Sequence, residues 1–131
     1  MVYQILPYTK KRAKELGVKI FPSDKKDKKI EVYDWNGIFI CYIGSASYGD
    51  YPHYLEMEKQ GIKPKGYANE RRRLYHIRHG KEPDKLGDEY LGSPAYYAKE
   101  LLWWNFSYEI VKKFSKNGIR YLLHFLKVLS P

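Results

Sequence analysis

The sequence contains a single cysteine, Cys41, among its 131 residues. One thiol excludes a disulfide framework within the chain and a zinc site built from several cysteines. The G-x-G-x-x-G and G-x-x-x-x-G-K-[ST] loops that cradle phosphates are also missing, as is the G-x-S-x-G nucleophile elbow. Dinucleotide-binding, nucleoside-triphosphatase and serine-hydrolase functions therefore gain no support.

Long apolar runs are missing too. The apolar stretch at residues 119–129 is far shorter than the about 20 residues that a helix needs to cross a bilayer. Charge soon follows residues 1–7, so this end of the chain does not have the apolar core of a signal peptide. We therefore expect no membrane span and an intracellular rather than a secreted protein.

Acidic residues are outnumbered, and the excess positive charge is unevenly spread. The chain has 24 Lys and Arg residues against 15 Asp and Glu residues, which gives a formal net charge of +9. Residues 1–29 and residues 63–81 each carry a net charge of +6, whereas residues 30–62 carry −4. If the fold brings both basic segments to one face, that face can neutralise several phosphates. If the fold separates them, the excess serves only solubility.

Apolar and aromatic residues are plentiful. Hydrophobic residues make up 44% of the chain, and aromatic residues alone, with 14 tyrosines among them, make up 17%. This composition is sufficient for a buried core and argues against a fully disordered chain. The length fits one domain over residues 1–131.

The clearest local signal is Asn36-Gly37 between two runs rich in β-branched and aromatic residues, 30–35 and 38–43. This pattern predicts a β-hairpin with a two-residue type I′ turn, in which both central residues have a positive φ. A weaker strand pattern over 18–21 would bring the sheet to about three strands.

Helical patterns with matching start and stop signals cover much of the remaining chain. The predicted helices span 9–16, 52–60, 67–79, 93–104 continuing to 116, and 119–129. Thr9 and Ser93 are the predicted N-caps of their helices, and Gly17 is the predicted stop of the first helix. In the helix over 67–79 we expect Tyr67, Leu74 and Ile77 to face the core, and we expect an acidic loop over 81–92. The sequence thus predicts an α+β fold in which four or five helices pack a small, mostly antiparallel sheet of about three strands.

Three consecutive arginines, Arg71, Arg72 and Arg73, lie in the predicted helix over 67–79. Successive helical residues are about 100° apart, so the three side chains fan over about 200° and cannot all face one groove. Arg71 shares a stripe with Tyr75 and Arg78. Guanidinium groups grip phosphate oxygens and tyrosines stack on bases, so this stripe predicts contact with nucleic acid.

Other basic and aromatic side chains can join that contact. The predicted binding residues are Arg71, Arg72, Arg73, Arg78, His79, Lys10, Lys11, Tyr48 and Tyr51. Two alternatives stay open: the arginines can form a solvated face paired with glutamates, and the tyrosines can be core rings. His76 and His79 have the spacing to reach one metal ion, but no second clustered ligand pair exists, and we expect no resident metal or cofactor.

Several segments together resemble a family of short basic proteins encoded by large DNA viruses, particularly viruses of algae. The resemblance covers residues 8–103 and is carried by the segments 11–20, 48–52, 67–68, 71–75 with Arg78-His79, and 92–98 with Leu102-Trp103. It implies a viral setting, in the host cell or the virion, and leaves residues 104–131 as a C-terminal helical extension.

A fainter likeness is to the GIY-YIG nucleases. Those enzymes carry two tyrosine motifs on a β-hairpin, then a helix with arginine and histidine, then a glutamate that binds the metal. Val32-Tyr33 and Tyr42-Ile43-Gly44 are similar to the hairpin motifs, and Arg71 or Arg73 follows on a helix with His76 or His79. Glu100 comes later, on another predicted helix.

This second resemblance implies a catalytic set. A tyrosine would help to activate water, the arginine would stabilise the developing negative charge, and the glutamate would hold Mg²⁺. The residues in question are Tyr33, Tyr42, Arg71, His76 and Glu100, with Glu100 as the Mg²⁺ ligand.

Taken together, these features predict a protein that binds nucleic acid, with DNA as the favoured partner. Binding is expected to involve the phosphate backbone of the nucleic acid and to have low sequence specificity. The alternative is a Mg²⁺-dependent DNA endonuclease of the GIY-YIG kind. A second alternative is a virion structural or interaction module that associates with itself or with a protein partner through residues 119–131.

Overall fold

The computed structural model describes residues 2–104 of the chain. In chain order the elements are α1 (Pro7–Leu16), β1 (Lys19–Pro22), β2 (Lys28–Tyr33), β3 (Phe39–Ser45), α2 (Tyr51–Lys59), α3 (Tyr67–His79), α4 (Glu82–Leu86), a short 3-10 turn (Gly87–Glu89) and α5 (Pro94–Leu102). The strands form one antiparallel sheet in the order β1-β2-β3. The predicted α+β fold is therefore confirmed.

Two of the predictions concern residues outside this range. The helical continuation to 116 and the helix over 119–129, with the association role assigned to 119–131, lie outside the described residues. Within residues 2–104, no helix combines the length and the apolar character that crossing a bilayer requires.

The strand register separates a buried face of the sheet from an open one. Ile30 pairs with Ile43 and Val32 pairs with Cys41, and all four side chains are buried. The residues between them alternate to the opposite face, as the two-residue period of a strand requires. The buried face packs with Leu101 and Leu102 of α5, both fully buried, and so forms the centre of the core.

The hairpin between β2 and β3 contains Asn36-Gly37, but its turn differs from the predicted one. Gly37 has a φ of 86°, and no described residue other than glycine has a positive φ, so Asn36 does not have the conformation that a type I′ turn needs. Instead the carboxylate of Asp34 accepts from the backbone N–H groups of Asn36 and Ile38, both at 2.9 Å. The prediction of a two-residue type I′ turn is wrong because the Asp34 side chain organises a longer turn.

The first helix begins earlier than predicted. It starts at Pro7, after Leu6, and Thr9 is fully buried inside it rather than acting as the N-cap. Proline suits the first turn of a helix because its φ is already helical and its missing N–H is not needed there. The predicted stop is confirmed: Gly17 adopts the left-handed conformation, and its N–H donates to carbonyls of the last turn.

The helix over 67–79 has the predicted bounds but turns a different face to the core. Ile77 is 63% exposed, whereas Ala68, Tyr75 and His76 are buried. The prediction that Ile77 faces inward is wrong. Tyr75 packs in parallel against Trp103, 28 residues away in sequence, with ring centroids 4.6 Å apart, and this contact is consistent with the observed rotation of the helix.

The acidic segment after α3 is not a simple loop. Glu82–Leu86 forms α4, with a proline in its first turn, so the prediction of a loop over 81–92 is wrong at this point. Acidic side chains near a helix N-terminus interact favourably with its dipole. The start of α5 is as predicted: Ser93 is the N-cap, and its hydroxyl accepts from the N–H of Tyr96 at 3.2 Å.

A buried ion pair joins the sheet to the helices. Lys29 of β2 is 5% exposed and Asp50, the N-cap of α2, is 1% exposed. The Lys29 Nζ atom donates to the Asp50 Oδ2 atom at 3.0 Å, and the Tyr3 hydroxyl donates to the same oxygen at 2.7 Å. The other carboxylate oxygen accepts the backbone N–H of His53 at 3.1 Å. One carboxylate thus links the N-terminal segment, β2 and α2.

The surroundings of Asp50 also set its protonation. Burial alone would raise the pKa of this carboxyl, but the hydrogen bonds from His53 and the charge of Lys29 outweigh burial and hold the pKa at about 2. A carboxyl whose pKa is lower in the folded than in the unfolded state stabilises the fold above the unfolded pKa of about 3.9. That contribution is lost as the pH falls from about 4 toward 2.

We predict that Asp50→Asn lowers the free energy of unfolding at pH 7 by about 3 kcal/mol or more, because it leaves Lys29 buried without a counter-charge. Urea unfolding measures this loss. The double variant Lys29→Met/Asp50→Asn should lose less than the sum of its two single variants. Stability of Asp50→Asn should also fall less steeply between pH 4 and pH 2 than that of the wild type. Equal acid sensitivity of the two proteins would contradict the assignment.

Candidate nucleic-acid interface

A cleft of about 550 Å³ opens between the end of β3 and the helices α2, α3 and α5. We call it the arginine cleft, and define it by Arg71 and Arg78 of α3, Lys28 of β2, Tyr42 of β3 and Tyr54 of α2. Among the described residues that line it, Glu82 is the one acidic side chain. Residues from both of the sequence segments with a net charge of +6 therefore meet here.

Stacked aromatic rings support the cleft. Tyr75 lies between Trp103, at 4.6 Å and nearly parallel, and His79, at 4.3 Å. Burial, followed by the nearby charge of Glu82, raises the pKa of the Tyr75 hydroxyl well above its usual value. The ring is therefore uncharged at neutral pH. His79 lines the cleft as well, and its Nδ1 atom contacts a carboxylate oxygen of Glu82.

Arg71 is the cleft residue with the clearest unmet bonding capacity. Its Nε atom is buried and has no hydrogen-bond partner among the described residues. A buried donor without an acceptor costs free energy, and an oxygen that accepted from it would recover that cost. The side chain is positioned on a helix rather than on a loop.

The three consecutive arginines have separate surroundings, as the 100° step between helical residues requires. Arg72 points away from the cleft: its guanidinium lies 3.8 Å from the ring centroid of Tyr51 and donates to the carbonyl oxygen of Trp104 at 3.0 Å. Arg73 faces solvent and donates twice to the carboxylate of Glu70. Of the three, only Arg71 lines the cleft.

The remaining predicted binding residues divide between two surfaces and the interior. Tyr48 stands at the cleft and is 74% exposed. Tyr51 is buried and donates its hydroxyl to the Asn69 side chain at 3.1 Å, so it serves packing. Lys10 and Lys11 are exposed on α1, where they line a separate groove of about 510 Å³ together with Phe21. The structure therefore gathers Arg71, Arg78, His79 and Tyr48 and leaves the two lysines apart.

The residues of the nuclease resemblance are brought together only in part. Tyr42 and Arg71 both line the arginine cleft. Tyr33 lies elsewhere on the open sheet face and donates its hydroxyl to Glu31 at 2.8 Å. His76 is buried, with its Nε2 atom 3.0 Å from the carbonyl oxygen of Trp103.

Glu100 does not fit the role of an open metal ligand. It is 8% exposed, and its carboxylate accepts from the guanidinium of Arg12 at 3.1 Å. Within residues 2–104, no three His, Cys, Asp or Glu side chains are grouped so that they could hold a metal ion. The carboxylate that does line the cleft is Glu82.

Two glycines allow neighbouring elements of the cleft wall to approach each other closely. The sequence patterns did not predict this role for them. A Cβ atom on Gly49 would lie 2.4 Å from the hydroxyl oxygen of Tyr54, and one on Gly44 would lie 3.0 Å from side-chain carbons of Lys29 and Leu102. Sequence reasoning also missed Lys28 and Tyr54 as cleft residues. A glycine directly after the exposed Tyr48 was the one local signal that could have pointed to this wall.

Comparison of the chain with protein-family models, with curated proteins and with solved structures gives no match. What the cleft can bind therefore follows from its own side chains. Their chemistry is that of an anion site: guanidinium and ammonium donors beside flat aromatic rings.

We predict that Arg72→Ala lowers the free energy of unfolding by about 1–3 kcal/mol, because it removes the cation–π contact with Tyr51 and the hydrogen bond to Trp104. Arg73→Ala, which removes an exposed ion pair on the same helix, should change stability little. Urea unfolding of both variants makes the comparison. Equal effects would show that the packing role of Arg72 is wrongly assigned.

Proposed function

We propose that the protein binds nucleic acid in the arginine cleft through the phosphate backbone, with low sequence specificity. The observation that carries the proposal is the buried Nε atom of Arg71, which has no partner among the described residues and belongs to a cleft that Arg78 and Lys28 also line. Guanidinium groups bind phosphate oxygens through paired, charge-assisted hydrogen bonds, which fix the ligand without reading bases.

The balance of charge in the cleft supports an anionic ligand. Lys29 is neutralised by Asp50, and Glu82 is engaged with His79. Arg78 is exposed, and neither it nor Lys28 has a salt bridge among the described residues. These two side chains and Arg71 leave the cleft with a positive charge that phosphates can match.

The aromatic content supports a nucleic acid over a simple anion. Tyr48 is 74% exposed at the cleft, where it can stack on a base. The resemblance of residues 8–103 to short basic proteins of large DNA viruses supports DNA as the partner, in the host cell or the virion.

We predict that the affinity for a DNA duplex falls steeply with salt, because phosphate contacts release counterions. Arg71→Ala and Arg78→Ala should each weaken binding about tenfold and reduce the slope of log K against log salt by about 1. Fluorescence anisotropy across a salt series measures both quantities.

Arg73→Ala is the matched control, because it removes the same charge from the same helix outside the cleft. It should retain most of the affinity. A salt-independent affinity, or wild-type binding by the Arg71→Ala/Arg78→Ala double variant, would refute backbone binding in this cleft.

A second candidate function is cleavage of a phosphodiester. The observation that favours it is that Tyr42, of the Tyr42-Ile43-Gly44 motif, lines the same cleft as Arg71. A guanidinium there would stabilise the negative charge that develops on the phosphorus oxygens during cleavage. The enclosed position of Glu100 gives no support for metal binding at that residue.

If the cleft cleaves DNA, supercoiled plasmid should be nicked by the wild type, and Arg71→Ala should be about a hundredfold slower or worse. Tyr42→Phe should be slowed as well, whereas Arg73→Ala should not. Gel electrophoresis of plasmid incubated with Mg²⁺ or Mn²⁺ measures the rates. Plasmid left intact by the wild type with every divalent metal tried would rule out this function.

A further inference from the structure

A row of aromatic rings crosses the open face of the sheet. We call it the aromatic ladder, and define it by Phe21 of β1, Tyr33 of β2, and Phe39 and Tyr42 of β3. Successive ring centroids are 5.6, 5.6 and 4.9 Å apart, so each ring contacts the next. The strand register makes this row. It shifts between Val32 and Tyr33, and it pairs Tyr33 with Phe39, which departs there from the two-residue alternation.

The rings of the aromatic ladder are partly exposed to solvent. Phe21 is 51% exposed and Phe39 is 45% exposed, while Tyr33 and Tyr42 are half-buried. Contiguous exposed apolar surface of this kind marks an interaction site more often than isolated exposed residues do.

Cations flank the ladder at both ends. The Nζ atom of Lys25 lies 5.2 Å from the ring centroid of Tyr42. At the other end Phe21 also lines the groove that carries Lys10, Lys11 and Lys14. Flat rings between ammonium groups match a ligand with flat faces and a negative backbone, and charge complementarity thus favours nucleic acid over an apolar protein segment.

Two carboxylates lie at the ladder, those of Glu31 and Asp24, and they interact with each other and with Tyr42. Glu31 lies opposite Tyr42 in the register, and its two oxygens accept from the hydroxyl of Tyr33 at 2.8 Å and from the backbone N–H of Asp24 at 3.0 Å. It holds the neighbouring ring and loop in place.

We propose that the aromatic ladder is a platform on which the bases of a single-stranded nucleic acid stack. The strand would continue into the arginine cleft, because Tyr42 belongs to the ladder and also lines that cleft. In a duplex the base faces are covered by their neighbours, so the platform selects single strands. This inference rests on the proposed function of the cleft and adds the class of nucleic acid that is bound.

The test compares full-length wild type with Phe21→Val/Phe39→Val, which removes the exposed rings but keeps β-forming side chains. Leu91→Val, at a residue 74% exposed outside both surfaces, is the control. Fluorescence anisotropy is measured with an oligo(dT) of about 20 nucleotides and with a duplex of equal length. We expect the double variant to lose about tenfold or more in affinity for oligo(dT) and to keep its duplex affinity.

A second measurement does not depend on the variant. Ultraviolet crosslinking of the wild type to a bromouracil-substituted oligonucleotide, followed by peptide mapping, should place crosslinks on ladder residues. Crosslinks confined to other parts of the chain would overturn the platform. Unchanged oligo(dT) affinity in the double variant would also overturn the platform. If the double variant with unchanged affinity has a different elution volume on size exclusion, the open sheet face is assigned to a protein contact instead.

Failure of the platform and failure of the cleft give different results. If Arg71→Ala weakens binding of both ligands while the ladder variant changes neither, the platform is overturned and the cleft stands. If the ladder variant loses oligo(dT) binding while Arg71→Ala binds both ligands as the wild type does, the proposal that the arginine cleft binds nucleic acid is overturned. Equal losses for single strand and duplex in the ladder variant overturn selection of single strands.

Discussion

The buried ion pair between Lys29 and Asp50 is the constraint on which the cleft depends. Asp50 caps α2, which carries Tyr54 of the cleft, while the side chain of Lys29, on the central strand β2, packs beside Gly44 of β3. Two charges removed from water are tolerated only if each is matched, and here the carboxylate also accepts hydrogen bonds from Tyr3 and His53. The ion pair that supports the wall of the cleft thus lies in the interior rather than on the surface.

Only part of the positive charge of this protein lies at the arginine cleft, because neighbouring basic residues have different surroundings. Three adjacent arginines leave one helix in three directions, toward a cleft, a tyrosine ring and a glutamate. Arg71 and Arg72 each have a buried Nε atom without a partner among the described residues, but of the two only Arg71 lines the cleft. A net charge of +9 therefore overstates what is available to a polyanion, and the local bonding of each guanidinium decides which charges contribute.

Local signals predicted the elements well and their mutual arrangement poorly. The helix over 67–79, the Gly17 stop and the Ser93 cap follow from residues close in sequence, and the structure confirms them. The inward face of that helix was mispredicted because a distant tryptophan selects Tyr75 rather than Ile77. The stripe of Arg71 and Arg78 was predicted as a binding surface, but its meeting with residues of β2, β3 and α2 depends on tertiary contacts that a periodic pattern does not contain.

The tyrosine-rich composition has a consequence for alkaline conditions. Burial raises the pKa values of the Tyr3, Tyr8 and Tyr75 hydroxyls above the ordinary value of a phenol. A group whose pKa is raised by folding contributes stability that is present below its unfolded pKa of about 10 and is lost as the pH rises. Phenolate formation at these interior rings is therefore coupled to loss of the native fold.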